Sequence, residues 1–201
     1  MWHFLDIKDF DKERLSSLLD TARDMKSGHD VGRPLEGLHI GMIFEKPSTR
    51  TRVSFEVGIS QLGGTPVFLA ASDLQLGRGE TVGDTAKVLS RYLDGLMIRA
   101  MKHETLTEFV KHATVPVING LTDRSHPCQI LADLQTVIEH HGSLKNEVIV
   151  WFGDGNNVAN SWIEAAALFG FELRLVGPEA YHPSAELIAW ALEKGANIVV
   201  T

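Results

Sequence analysis

Two guanidiniums and three hydroxyls crowd into five consecutive residues, Ser48-Thr49-Arg50-Thr51-Arg52. The run before them, Leu38 to Phe44, reads as a buried strand, and the run after, Val53 to Leu62, as a helix closed by Gly63-Gly64. The group therefore sits at a strand-to-helix turn. Cations at a helix start oppose its partial positive charge unless an anion joins them. Unbonded first-turn amides, hydroxyls and forked guanidinium donors together make a cradle for phosphate. A solvated basic turn is the lesser alternative for these five residues taken alone.

Ligands of open parallel sheets collect beyond the carboxyl ends of the strands, and three more polar groups fall at such ends. Arg99 closes the apolar run Gly95-Leu96-Met97-Ile98, where burying a guanidinium is costly without an anionic partner. His126-Pro127-Cys128-Gln129 opens a helix, with Pro127 suited to its first position. A histidine there tends to stay neutral, yet it still donates one hydrogen bond to a carbonyl oxygen. Gln129, with both donor and acceptor, suits an amide. A plain helix cap plus a core-facing glutamine fits these residues as well. Cys128 has no evident base beside it, so a nucleophilic role is not expected. No nucleophile–base pair occurs, which points to catalysis by positioning and electrostatics.

The last group is Gly153-Asp154-Gly155-Asn156-Asn157. A dinucleotide site is a weak reading, because the third glycine and the acidic residue of that fingerprint are missing. Asn156 and Asn157 put short polar side chains at a helix start and suit an amino-acid ligand, with ordinary capping the alternative for Asn156. The nine histidines show no metal-ligand spacing, and no cofactor is expected.

These groups need strands and helices to carry them. Asp11 caps a first helix bearing Leu15, Leu18, Leu19, Ala22 and Met25. Strands are expected at 38–44, 66–69, 95–98 and 115–118, with helices at 51–62, from Thr81, at 103–112 and from Pro127 to about His140. Asn119 to Pro127 reads as a turn, and the polar loop Ser72 to Glu80 is long enough to be functional. A second series follows, with strands at 148–152, 171–176 and 197–200, a helix built on Ala159, Ile163 and Ala166 after the 153–157 turn, and another over 183–194. Alternation throughout implies an α/β protein of two parallel-sheet domains, divided near 142–146: residues 1–141 and 147–201. The chain stops inside an apolar strand, so the second domain is expected to be incomplete.

At 201 residues, with 44% hydrophobic and 22% charged residues, the chain has an ordinary globular balance. A net charge of −7 disfavours a nucleic-acid partner and makes a local arginine cluster more telling. The single Cys128 allows no internal disulfide and suits a reducing compartment. No signal-peptide core opens the chain, and no apolar run approaches the roughly 20 residues of a membrane span. A cytoplasmic protein without membrane contact is expected.

With these motifs in hand, the whole chain resembles the aspartate/ornithine carbamoyltransferase family, most closely its ornithine type. Ser48 to Arg52 is similar to the family's carbamoyl-phosphate signature, and His126 to Gln129 to its second motif. Arg99 is similar to its strand-end arginine. The loop Asp73 to Glu80 and the turn Gly153 to Asn157 look like the ornithine-type segments. The aspartate type usually carries a lysine in that loop; none occurs here between Gln61 and Lys87. The resemblance implies a two-domain fold with carbamoyl-phosphate and Rossmann-like amino-acid domains. It also implies transfer of a carbamoyl group from carbamoyl phosphate to the δ-amine of L-ornithine, as in arginine biosynthesis, without a cofactor or metal.

Residue by residue, the resemblance implies that Ser48, Thr49, Arg50 and Thr51, with Arg52, hold the phosphate. Arg99 bridges phosphate and carbonyl, His126 polarises the carbonyl, and Gln129, with Pro127 and Cys128 beside it, holds the carbamoyl amide. Gln75 completes a neighbouring subunit's site, which implies a homotrimer or a multiple of one, and Asn157 holds ornithine. The family's later segments are absent from these 201 residues. A chain truly ending at Thr201 is expected to bind carbamoyl phosphate without efficient turnover. A carbamoyltransferase acting on a related amine and a non-catalytic anion-binding module are the alternatives.

Overall fold

The computed structural model describes residues 2–70, 72, 74 and 79–201. After a 3-10 turn at Ile7–Asp9 come α1 (Lys12–Lys26), β1 (His39–Phe44), α2 (Thr49–Gln61) and β2 (Thr65–Ala70). Next are α3 (Val82–Leu89), β3 (Gly95–Arg99), α4 (His103–His112), β4 (Val117–Leu121) and α5 (Pro127–His141). The chain continues with β5 (Val148–Phe152), α6 (Asn157–Phe169), β6 (Glu172–Val176), α7 (Ala185–Glu193) and β7 (Asn197–Val200). Packing groups the described residues of 1–5 and 30–123 into one compact unit, and 6–29 with 124–201 into another. A boundary at 142–146 describes order along the chain. Grouping by packing places α1 and α5 with the second unit, where α5 meets both α1 and α6.

The first unit is built on a parallel sheet of order β2-β1-β3-β4. Alternate side chains of its inner strands serve opposite faces, as a strand's period of two dictates. Ile43, Leu96 and Ile98 join Ala86 of α3 and Leu106 and Phe109 of α4. Met42, Phe44 and Met97 join Ile59 of α2 on the other face. From β1 the chain crosses to β2 on one side, then returns to β3 on the other. Strand order thus reverses between β1 and β3, where Phe44 and Arg99 stand in register at the carboxyl ends. Such a switch point opens a crevice between diverging connections.

Two elements depart from the expected bounds for local reasons. Helix α2 begins at Thr49, before the expected 51, because Ser48 takes the cap with extended backbone and accepts the Thr51 N–H. Strand β4 runs over 117–121 instead of 115–118. Pro116 has no N–H to give a ladder, while the Phe4 amide bonds Val117 O at 2.8 Å and the Asn119 amide bonds Phe4 O at 2.8 Å. Asn119, expected in a turn, is wholly buried and donates its side-chain amide to Leu5 O at 2.8 Å.

The second unit has the parallel sheet β5-β6-β7. Helix α6 packs on β6 and β7, burying Ala159, Ile163 and Ala166 completely. Trp162 meets Phe171 edge-on, ring centroids 5.8 Å apart. Helix α5 starts at Pro127, as a proline at the first helical position allows.

Candidate active site

The five-residue signature is itself the first turn of α2. The Ser48 hydroxyl accepts the Thr51 N–H at 3.4 Å and donates to Thr51 Oγ1 at 3.0 Å. Arg99, arriving from β3, donates through Nη1 to the same Thr51 oxygen at 3.2 Å. The sheet's register brings it there, since β1 ends at Phe44 directly beside it. The first turn contains no acidic side chain, and its leading amides have no intrahelical acceptor.

Charge is unbalanced at this turn. Among the described residues, neither Arg50 nor Arg99 has a carboxylate within ion-pair distance. Arg99 is half-buried, and its Nε is buried with no acceptor among those residues. Burial first, and then the neighbouring charge of Arg50, hold the Arg99 guanidinium below its ordinary range. Two like charges beside a positive helix end repel one another, and an anion would relieve that repulsion. Arg52 differs: its Nε lies 3.3 Å from Glu56 one turn on, and its guanidinium stacks 3.8 Å from the Phe68 ring centroid. It carries its own counter-charge.

Glu45, unremarked in the sequence, ties the two strand ends together. Its N–H donates to Arg99 O at 2.9 Å, and its carboxylate accepts the Met101 N–H at 2.5 Å. Arg99 and Met101, the residues flanking Ala100, are thereby both held by the residue that follows β1.

The remaining named residues lie in the second unit. His126 is the cap residue of α5, half-buried, with no side-chain cap bond, and its N–H donates to Ser161 Oγ at 2.9 Å. Gln129 is exposed and spends its amide N–H on Asp133, one turn along, at 2.8 Å. Pro127 is buried and Cys128 half-buried; burial pushes the Cys128 thiol up to about 12, away from thiolate chemistry. Asn156 does cap α6, accepting the Val158 and Ala159 amides at 2.9 and 3.2 Å. Asn157 opens that helix, and its carbonyl accepts the Ser161 hydroxyl at 3.2 Å.

The turn's glycines have structural reasons. A side chain on Gly155 would meet the Pro183 backbone at 2.3 Å, and Gly153 has a φ of 148°. Gln75 lies outside the described residues. Among those residues no group of three or more His, Cys, Asp or Glu side chains could hold a metal ion, and no helix is long and apolar enough to cross a membrane.

One polar cluster escaped the sequence reading: Asp6, Lys8 and Glu164 in the second unit. Glu164 is 2% exposed and pairs with Lys8 Nζ at 2.8 Å. The signal was available, because Glu164 interrupts the otherwise apolar run Trp162 to Leu168.

Paired arginines and a capped helix start at the switch point of an α/β unit have the chemistry of the class of α/β proteins that take phosphate compounds. Profile comparison narrows the class. Residues 2–139 match the aspartate/ornithine carbamoyltransferase carbamoyl-P binding domain, and 145–201 match the Asp/Orn binding domain. This chain belongs to the aspartate/ornithine carbamoyltransferase family.

Its relatives include an ornithine carbamoyltransferase of Rhizobium meliloti, 51% identical over 99% of this chain and 67% of the relative. An anabolic ornithine carbamoyltransferase of Pseudomonas aeruginosa is 53% identical over 94% of this chain and 63% of the relative. The ornithine carbamoyltransferase of Pyrococcus furiosus superposes with a TM-score of 0.93 at 46% identity, over 98% of this chain and 66% of that one. The chain thus spans about two thirds of the length of the relatives it matches.

Proposed function

We propose that this protein is an ornithine carbamoyltransferase, with a carbamoyl-phosphate domain at 1–141 and an ornithine-binding domain at 147–201. The observation that carries the reading is the unbalanced Arg50–Arg99 pair at the start of α2, beside the hydroxyls of Ser48 and Thr51. The phosphate of carbamoyl phosphate supplies the missing negative charge there, held by Ser48, Thr49, Arg50 and Thr51. Arg99 bridges the phosphate and the carbonyl oxygen, and His126 donates to that oxygen. Gln129 receives the carbamoyl amide by leaving Asp133, and Asn157 holds ornithine.

The neutral δ-nitrogen of ornithine attacks the carbamoyl carbon. A C–N bond forms, the carbon–oxygen bond to phosphate breaks, and the nitrogen gives up one proton, yielding citrulline and phosphate. Arginines and imidazole act by stabilising charge that grows on the carbonyl and on the departing phosphate. The absence of a nucleophile–base pair among the named residues supports this division of labour. The anabolic relative's name supports a biosynthetic role, which we take to be arginine biosynthesis; we place the protein in the cytoplasm. The assembly we propose is a homotrimer, or a multiple of one, in which Gln75 reaches a neighbouring site.

Isothermal calorimetry tests the site. Carbamoyl phosphate is expected to bind the wild type and to fail with Arg50→Ala, and equal binding by both removes the assignment. A citrulline assay with ornithine, set against other diamines and acylated ornithines, tests the acceptor.

A further inference from the structure

Three consecutive residues, Arg124, Ser125 and His126, are each held by a polar side chain of the second unit: two on α6, and Asp6. The Arg124 carbonyl accepts from Asn160 Nδ2 at 2.9 Å, and the His126 N–H donates to Ser161 Oγ at 2.9 Å. The Ser125 hydroxyl donates to Asp6, which also lies 3.6 Å from the Arg124 guanidinium. Asp6 is 4% exposed and 3.9 Å from Lys8 Nζ. Lys8 in turn meets Glu164 twice, through Nζ at 2.8 Å and through its backbone N–H at 3.4 Å. Asn160, Ser161 and Glu164 share one face of α6, as residues three and four apart must. The chain of contacts thus runs from a buried glutamate through Lys8 and Asp6 to Ser125, the residue before His126.

We propose that Glu164 is a positioning residue for His126, acting through Lys8 and Asp6 on the 124–126 turn. The proposal rests on the reading of His126 as the group that polarises the carbonyl. The charged groups facing Glu164 are Lys8 and Asp6, from the 3-10 turn and the residue before it; Arg124 reaches it through Asp6. Helix α7 contributes the Trp190 ring, 5.4 Å from Lys8 Nζ. Burial first, and then the charge of Asp6, raise the Glu164 carboxyl to about 7 against the pull of Lys8. Near neutrality the glutamate therefore changes charge. When it takes a proton, Lys8 loses that ion pair and turns to Asp6, the group that holds Ser125.

Amide NMR tests this without reference to turnover. Spectra are taken in a His126→Asn background, so that the imidazole adds no inflection of its own. The Ser125 amide and the Asn160 side-chain amide are expected to titrate with a midpoint near 7, and Glu164→Gln is expected to abolish that midpoint. Lys8→Met, which removes the cation, is expected to move it upward, and serves if the glutamine variant folds poorly. With His126 intact, Glu164→Gln is expected to lower kcat on the order of tenfold and to flatten its pH profile near neutrality. The KM for carbamoyl phosphate should not change. Flat amide shifts in the parent, or an inflection that survives Glu164→Gln, overturn the coupling. Intact coupling with an unchanged kcat overturns the positioning role. The Arg50→Ala calorimetry, which does not involve this cluster, judges the phosphate site separately.

Discussion

Replacing Glu164 by glutamine keeps its size and removes its ionisation, and the consequence for stability follows from linkage. In the unfolded chain the carboxyl titrates near its ordinary 4.5; folded, it holds its proton up to about 7. Between those values unfolding releases a proton, so stability falls as pH rises and levels off once the folded group has ionised. Each tenfold change in proton affinity is worth about 1.4 kcal/mol, so moving the carboxyl from 4.5 to about 7 amounts to about 3 kcal/mol. Glu164 is 2% exposed, so solvent screens little of this.

Urea denaturation of wild type and Glu164→Gln, each at about pH 4 and at mildly alkaline pH, cancels the titration of every other group. The wild type is expected to lose about 3 kcal/mol more than the variant on going from acid to alkaline conditions. A stability difference that is constant with pH would refute the reasoning. It would mean that Lys8, at 2.8 Å, offsets the whole cost of burying the glutamate.

Three further outcomes follow from the packing. Gly155→Ala drives a methyl into the Pro183 backbone at 2.3 Å and should cost about 1–3 kcal/mol. Gly58→Ala in α2, where a side chain meets nothing within 4 Å, should instead gain about 1 kcal/mol; thermal melts of the pair check both signs. Cys128, its thiol held up to about 12 by burial, should resist alkylation in the native protein at mildly alkaline pH and react only after unfolding. Rapid native labelling, read by intact mass, would show the thiol to be accessible.

Much of the architecture was open to direct reading, because its causes are local. Strand β1 announces itself by a continuous apolar run, α3 by the Thr81–Asp84 pair, and α5 by Pro127. The structure finds Thr81 Oγ1 accepting the Asp84 N–H at 3.1 Å. Helix α2 starts two residues ahead of the expected 51 because Ser48 takes the cap, a choice that depends on backbone angles composition does not carry. Strand β4 was misplaced because its register is set by Phe4, more than a hundred residues away in the chain.

The candidate site divides in the same way. Residue types alone marked Ser48 to Arg52 and Arg99 as an anion cradle, since cations at a helix start and a strand end need a counter-charge. Sequence also determined the alternation of strand and helix, and hence the α/β class. Only tertiary structure decided who meets whom. Arg99 reaches Thr51 across 48 residues because β1 and β3 end in register. Arg52 is drawn to Glu56 and Phe68, and Gln129 to Asp133. Lys8 finds Glu164 across 156 residues. Such partnerships depend on long-range packing that closes loops of arbitrary length, and no local periodicity encodes them.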